Sequence, residues 1–258
     1  MKCIITVRRR LCASAELYEM ILTASEPVTA HPGQFLMIGC GEGTLLRRPI
    51  SLAGWDPEAN TLRICFEVRG KGTAALAGLK PGDTVDILPP AGHGFPVAET
   101  GRVLLCGGGI GIFPLLMLAK AYGTRADAVL GFRTASLACC TDEFELLCER
   151  LALISDDGST GRQGFVTALA EEALAERSYD RIQVCGPKPM MRGIASLAER
   201  YRIPCDVSME ERMGCGVGAC MACVCKTIPG HNSCETDGFD YKRVCADGPV
   251  FSASDILW

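Results

Sequence analysis

The sequence predicts a protein of three parts: an N-terminal antiparallel β-barrel, a doubly wound parallel-sheet α/β domain and a C-terminal metal module. Two changes of pattern along the 258 residues predict this division. Short apolar runs between turn residues give way, from residue 101, to strands that alternate with helices. The tail then becomes rich in glycine and cysteine. We therefore place the parts at residues 1–97, 98–209 and 210–258.

The first part contains short apolar runs separated by turn signals such as Pro32-Gly33 and Pro81-Gly82-Asp83. Several strands at this spacing are typical of a small barrel or sandwich. The predicted strands cover residues 3–7, 34–38, 62–68 and 84–88.

The second part begins with a buried strand, a glycine turn and an apolar helix whose Pro114 suits the first helical turn. Strands and helices alternate from there, which predicts a parallel sheet covered on both faces. The predicted strands are residues 103–106, 128–132, 151–155, 181–185 and 206–209, and the predicted helices are residues 114–121, 142–151, 167–176 and 188–201.

The composition argues against a nucleic-acid-binding protein and against a secreted or membrane-spanning one. The net charge of −4 supplies no basic face for a nucleic acid. No segment reads as a signal peptide, and none approaches the ~20 apolar residues that span a bilayer. We therefore expect a cytoplasmic protein with reduced thiols, so its 16 cysteines require a metal or burial to explain them.

The strongest motif lies in the tail. Cys215, Cys220 and Cys223, followed by Cys245, have the C-x4-C-x2-C…C spacing of plant-type [2Fe–2S] ligation. A structural zinc site is the alternative, but it usually shows C-x2-C pairs on both sides. Two further cysteines, Cys225 and Cys234, leave the ligand set slightly open. The tail has little apolar periodicity, so we expect something other than burial to hold it together.

Two weaker motifs in the first part are consistent with a flavin site. Arg48, Pro49, Ile50 and Ser51 combine a cation for a phosphate with a hydroxyl for a ring edge. Gly72 and Thr73 open an apparent short helix, whose N–H groups can hold a pyrophosphate.

The second part carries a variant of the glycine-rich dinucleotide turn. Its glycines include Gly108, Gly109 and Gly111, between a strand and a helix. Cys185 and Gly186 end a later strand at the same, carboxyl edge of the sheet, where open α/β sheets bind ligands. Cys185 is a candidate for contact with a nicotinamide, or simply a small residue at a strand end.

In order and spacing, these pieces resemble the ferredoxin–NADP reductase superfamily, and within it the electron-transfer subunits of NAD-linked dihydroorotate dehydrogenase. The cluster signature at residues 210–220 and the closing motif at residues 244–251 resemble that branch. The resemblance assigns FAD to the barrel motifs and to a bordering strand with Cys65, Phe66 and Glu67, and it assigns cluster ligation to Cys215, Cys220, Cys223 and Cys245.

The resemblance implies a relay in which an FMN-containing catalytic subunit oxidises dihydroorotate. Electrons then cross the [2Fe–2S] cluster to FAD and NAD+, in a heterotetramer with two copies of each subunit. Hydride transfer needs positioning only, so we name no catalytic acid or base. Arg133 after the second nucleotide-domain strand leaves NAD and NADP both open.

Two alternatives remain. One is the small subunit of an NADH-dependent ferredoxin–NADP reductase or sulfide dehydrogenase, relatives that typically offer aspartate where this chain has Cys215. The other is a non-catalytic binding module stabilised by a metal. This alternative requires the flavin and nucleotide motifs to have arisen by coincidence on one chain.

Overall fold

The computed structural model describes residues 1–12, 14–41, 43–229 and 238–258. Its first part is a closed antiparallel barrel with strand order β1-β2-β5-β4-β3-β6. Side chains alternate between the barrel interior and its surface, so residues such as Ile5, Leu22 and Ile64 are fully buried. The elements are β1 Lys2–Arg10, β2 Leu17–Ala24, β3 Phe35–Ile38, β4 Arg48–Asp56, β5 Thr61–Glu67, α1 Lys71–Gly78 and β6 Thr84–Ala91.

The second part is a seven-stranded sheet with strand order β10-β9-β8-β7-β11-β12-β15. All neighbours pair in parallel except β15, which pairs antiparallel with β12 and brings the tail into the sheet. The elements are β7 Val103–Gly108, α2 Ile112–Tyr122, β8 Ala126–Phe132, α3 Thr141–Leu147, β9 Arg150–Ser155, β10 Arg162–Gln163, α4 Val166–Glu176, β11 Arg181–Cys185, α5 Lys188–Tyr201 and β12 Cys205–Ser208, joined by β15 Val250–Ser252 of the tail. The tail also contains β13 Val224–Thr227 and β14 Asp240–Arg243, which pair antiparallel as a separate two-stranded sheet.

Local sequence explains these elements. Every residue of β8 is buried, as expected of a central parallel strand covered on both faces. Helix α5 buries Met191, Ile194, Leu197 and Ala198, the spacing of one helical face. It ends where Arg202 adopts a left-handed conformation. The predicted barrel and parallel sheet are confirmed.

Two expectations need correction. The helix predicted to run to residue 151 ends at Leu147, because Glu149 donates its N–H to Ala126 O and carries the chain into the sheet. The tail was expected to contribute little to a core. Instead Val244 and Ile256 are buried in the cluster of apolar residues beneath α5.

An ion-pair network joins the barrel to the sheet domain. Arg63 on β5 donates to both carboxylate oxygens of Glu143 on α3 at 2.6 Å, and to Glu19 on β2 at 2.6 Å. The side chain of Glu19 is only 4% exposed. Cys65 and Cys140 lie beside Arg63, and we call these five residues the junction cluster. It fixes how the two domains face each other.

Candidate cluster site and flavin–nucleotide cleft

The loop that carries Cys215 and Cys220 lies against barrel strand β3 because it contains glycine at the point of contact. Gly216 has φ +73°, and a Cβ there would lie 2.4 Å from Met37 Cγ. Only glycine permits both this conformation and this approach. The glycines of the motif therefore seat the loop on the barrel as well as bending it.

The four motif thiols form two pairs. The N–H of Cys215 donates to Cys220 Sγ at 3.4 Å, and the N–H of Cys220 donates back to Cys215 Sγ at 3.4 Å. The N–H of Cys245 donates to Cys223 Sγ, also at 3.4 Å. The first pair faces outward, since Cys220 is exposed, whereas Cys223 and Cys245 are each 2% exposed.

This arrangement fits a two-iron cluster better than a single ion. Zinc requires four ligands around one point. Within the described residues, no three side chains of the metal-binding types converge in that way. Two pairs of thiols instead match a [2Fe–2S] cluster, in which each iron takes two thiolates.

Backbone donors make one of these thiols unusually acidic. Hydrogen bonds from the N–H groups of Val217 and Cys220 lower the pKa of Cys215 to about 6. Burial instead raises the pKa of Cys245 to about 11. A metal ligand must be a thiolate, so Cys215 is the thiol that the backbone has prepared for ligation before iron arrives.

Arg243 ties the two halves of the cluster loop together, a role that the sequence analysis missed. Its guanidinium donates to Gly218 O at 3.0 Å and to both oxygens of Asp247 at 2.9 Å. This pairing lowers the pKa of Asp247 to about 2. The only signal in the sequence is an Arg and an Asp four residues apart on either side of Cys245.

Of the two surplus cysteines, Cys225 faces away from the thiol pairs. It lines a cavity of about 650 Å³ between α5 and the C-terminal residues, with Lys188 and Glu211. Burial raises its pKa to about 11. Cys234 lies outside the described residues.

The residues predicted to bind a flavin phosphate lie together. A Cβ on Gly72 would be 2.6 Å from Arg48 Nε, so the arginine of β4 covers the start of α1. Thr73 Oγ1 accepts the N–H of Arg69 at 2.9 Å. The arrangement puts one cation and a helix N-terminus side by side, which suits a pyrophosphate.

The side chains of the other flavin candidates point to different sides of the barrel wall. Ile50 and Phe66 point into the barrel core, whereas Cys65 packs with the sheet domain. Glu67 pairs with Arg69 at 2.7 Å. Pro49 and Ser51 pair with Met37 and Phe35 of β3. These positions surround the cleft between the domains without all reaching into it.

The nucleotide candidates converge at the switch point of the sheet, where β7 and β11 are neighbours. A Cβ on Gly111 would lie 2.5 Å from Cys185 O, and one on Gly186 would lie 3.0 Å from the nitrogen of Gly108. Gly109 has φ +55° and open space around it. The turn therefore leaves room for a ligand at the carboxyl edge.

The sequence analysis missed one residue of this cleft, Met190, and left two interpretations open for another, Cys185. Met190 covers the glycine turn, since a Cβ on Gly108 would lie 2.6 Å from its Sδ. Burial raises the pKa of Cys185 to about 12, although a hydrogen bond with Ser208 opposes this. Cys185 is thus a protonated thiol at the end of β11.

Comparison with known proteins agrees with this geometry. Residues 210–257 match the family described as the iron–sulfur cluster binding domain of dihydroorotate dehydrogenase B. The chain is 41% identical over its whole length, and over 98% of the relative, to the dihydroorotate dehydrogenase B (NAD(+)) electron transfer subunit of Caldanaerobacter subterraneus subsp. tengcongensis. Its counterpart from Bacillus caldolyticus is 43% identical, covering 98% of this chain and 97% of that one.

Solved structures show the same fold. An NADH-dependent reduced ferredoxin–NADP oxidoreductase, described for flavin-based electron bifurcation, has a TM-score of 0.86 at 31% identity, covering 99% of this chain and 90% of that one. The ferredoxin reductase of carbazole 1,9a-dioxygenase has a TM-score of 0.67 at 20% identity, covering 79% of this chain and 66% of that one.

Barrel, switch-point cleft and thiol loop together define a reductase of the ferredoxin–NADP reductase superfamily with a C-terminal iron–sulfur domain. Within that superfamily, the chain belongs to the family of dihydroorotate dehydrogenase B (NAD+) electron transfer subunits. Among the described residues, no helix combines the length and apolar character that crossing a membrane requires.

Proposed function

We propose that this chain passes electrons from a catalytic partner subunit, through a [2Fe–2S] cluster and its own FAD, to NAD+. The partner contains FMN and oxidises dihydroorotate, a step of pyrimidine biosynthesis. The complex is a cytoplasmic heterotetramer with two copies of each subunit. The cluster accepts one electron at a time and hydride transfer moves two, so the flavin stands between them.

The position of Met37 carries this proposal. Its backbone pairs with Pro49 of the flavin motif on β4, and its side chain contacts Gly216 of the cluster loop. Met37 is fully buried. The cluster loop and the flavin motif therefore lie on either side of one residue of β3, the short separation that consecutive carriers of an electron relay require.

In this proposal Arg48, Gly72 and Thr73 hold the FAD pyrophosphate, while Ser51 and Cys65 border the flavin. Cys215, Cys220, Cys223 and Cys245 hold the cluster. The nicotinamide nucleotide takes the cleft lined by Gly108, Gly109, Gly111, Cys185 and Gly186. Hydride transfer to it needs orientation and exclusion of water only, so no side chain acts as acid or base.

The carboxyl edge of the sheet supports NAD over NADP. Asp156 follows β9 directly, and its N–H donates to Phe132 O at the end of β8 at 3.0 Å. In dinucleotide-binding folds the acid that accepts a hydrogen bond from the ribose hydroxyl follows the second strand, where this chain has Arg133, and we propose that Asp156 takes that role from the neighbouring strand. Arg133, one residue beyond Phe132, carries the opposite charge. The substitution Asp156→Ser tests which of the two charges sets the preference between NAD and NADP.

The partner subunit docks over the outward thiol pair. Val217 is 64% exposed and Met221 is 52% exposed, and both flank the exposed Cys220. Apolar side chains in such positions favour a protein contact that also shields the cluster from water.

The test is to purify the native complex without oxygen and supply dihydroorotate with NAD+ or NADP+. We expect reduction of NAD+ that depends on the co-purifying FMN subunit. The separated chain keeps NADH oxidation with a dye but not dihydroorotate oxidation. Dye activity without any dihydroorotate turnover in the intact complex would retain the reductase and reject the pyrimidine substrate.

The solved structure with a TM-score of 0.86 supports one alternative donor, a reduced ferredoxin. The same preparation, offered reduced ferredoxin in place of dihydroorotate, distinguishes the two. The thiol of Cys215 supports the dihydroorotate system, because the alternative reductases typically offer aspartate at this position.

A further inference from the structure

The cavity of about 650 Å³ between α5 and the C-terminal residues has an excess of positive charge. Lys188, Arg192 and Lys226 contribute cations to its wall. Glu211 is the only acidic side chain among the described residues that line it. Lys188 donates to Glu211, so this pair is neutral overall. Arg192 and Lys226 therefore remain as the cations that give the cavity its charge.

Neither of these two cations is neutralised within the described ranges. The guanidinium of Arg192 forms no ion pair or hydrogen bond there. The ammonium of Lys226 lies over the ring of Phe239, 3.9 Å from the ring centroid. This contact holds the ammonium in place but leaves its charge and its N–H donors available to an anion. Walls of low polarity around such cations strengthen their attraction for an anion.

Hydrogen bonds along β13 fix the apolar wall of the cavity. The N–H of Leu257 donates to Lys226 O at 3.1 Å, and Thr227 forms a β-bridge with Ile256. Ile256 is buried, whereas Leu257 and Trp258 line the cavity and are 41% and 38% exposed. A partly exposed indole offers a flat apolar face that aromatic rings pack against.

We propose that this cavity binds a small organic anion in which a flat apolar ring carries a sulfonate, carboxylate or phosphate group. Arg192 and Lys226 bind the anionic group, and the ring packs against Trp258. The volume lies in the range of small-molecule sites. The ligand contacts both α5, which begins two residues after Gly186 of the nucleotide cleft, and β13, which directly follows Cys223. No lining residue is assigned to flavin, nucleotide or cluster, so the inference does not depend on the proposed function.

Calorimetric titration of the intact complex with naphthalene-2-sulfonate tests this site, with excess NAD+ present to fill the nucleotide cleft. Naphthalene-2-sulfonamide is the matched neutral probe. We expect the sulfonate to bind about tenfold more tightly, because charge-assisted hydrogen bonds form only with the anion. Arg192→Gln and Lys226→Gln are each expected to weaken sulfonate binding about tenfold and to leave sulfonamide binding unchanged. Trp258→Ala is expected to weaken both probes.

Arg162→Gln is the control variant, because its cation lies on β10 and outside the cavity. It is expected to bind both probes as the wild type does. All four variants are expected to keep wild-type NADH oxidation with a dye, which shows that they are folded.

Three outcomes overturn the inference: no binding of the sulfonate to the complex, equal affinity for the two probes, or a sulfonate affinity that none of the cavity substitutions changes. Binding by the separated chain but not by the complex also overturns it, because the partner subunit then covers the cavity. Turnover of dihydroorotate tests the proposed function separately, so failure of one does not imply failure of the other.

Discussion

The cluster loop and the junction cluster both gather cysteines, yet they prepare them for opposite chemistry. In the loop, N–H groups of Val217 and Cys220 lower the pKa of Cys215 to about 6. In the junction cluster, burial raises the pKa of Cys65 well above its usual range. A hydrogen bond with Cys139, followed by burial, does the same to Cys140. The path of the backbone, not the residue type, decides which of these thiols is acidic.

The largest effect expected from this comparison is loss of the cluster. Cys223→Ala removes a ligand that backbone geometry has positioned, so we expect nearly all iron and acid-labile sulfide to be lost from the purified complex. Cys140→Ala is the control, because that thiol is also buried but belongs to the junction cluster. Iron retained at the wild-type level in Cys223→Ala would falsify the ligand assignment.

A smaller effect is expected from the loop backbone. Gly216→Ala adds a Cβ that would lie 2.4 Å from Met37 Cγ, and its φ of +73° strains any other residue. Gly41→Ala is the matched control, since its φ is +85° but nothing lies within 4 Å of the new Cβ. Both substitutions cost about 1–2 kcal/mol in backbone strain. Only the first adds an overpacking cost of about 1–3 kcal/mol.

The measurement is the half-life of the visible cluster absorbance in the purified complex, alongside the thermal midpoint. Gly216→Ala is expected to shorten the half-life several-fold, and Gly41→Ala to leave it unchanged. Equal half-lives in the two variants would show that Met37 does not hold the loop.

The junction cluster is tested through its acid dependence. The hydrogen bonds and charge of Arg63 lower the pKa of Glu143. The folded form therefore gains stability above the ordinary pKa of glutamate, and loses it as pH falls through the lowered value. Glu143→Gln is expected to cost about 1–3 kcal/mol near neutral pH and much less once the pH has fallen below the lowered pKa of Glu143.

Thermal midpoints of both proteins across pH, at one scan rate, measure this difference. Glu172→Gln is the control, because its pair with Arg162 is half exposed on both sides and contributes about 0–1 kcal/mol. A gap between wild type and Glu143→Gln that does not narrow in acid would mean that the junction cluster does not depend on the charge of Glu143.

Features set by neighbouring residues could be predicted from the sequence. Helix α5 spans Lys188–Tyr201 as its apolar periodicity predicts. The cysteine spacing predicted the residues that form the thiol pairs, because that loop is shaped by its own glycines. The nucleotide candidates also converge, since their strands end at one edge of the sheet.

Contacts between distant parts of the chain could not be predicted in this way. Arg63 and Glu143 are 80 residues apart, and no local pattern links them. Met37 looks like any apolar residue of a short strand until the fold places Gly216 against it. Burial of Val244 and Ile256 likewise depends on α5, so a segment without apolar periodicity still contributes to the core.

The smallest effect is expected at Cys225, which separates backbone geometry from mere proximity. It lies two residues after Cys223, yet it lines the cavity beside α5 and its pKa is raised to about 11 by burial. Burial raises the pKa of Cys245 to about 11 as well, so what separates Cys225 from the ligands is its position in that cavity, away from the two thiol pairs. Cys225→Ser is expected to leave the iron content and the reduced-cluster spectrum unchanged, at a stability cost of about 1 kcal/mol for burying a hydroxyl. A changed spectrum would make Cys225 part of the ligand set. It would mean that closeness to Cys223 in the sequence, and not backbone geometry, decides which cysteines of this loop bind iron.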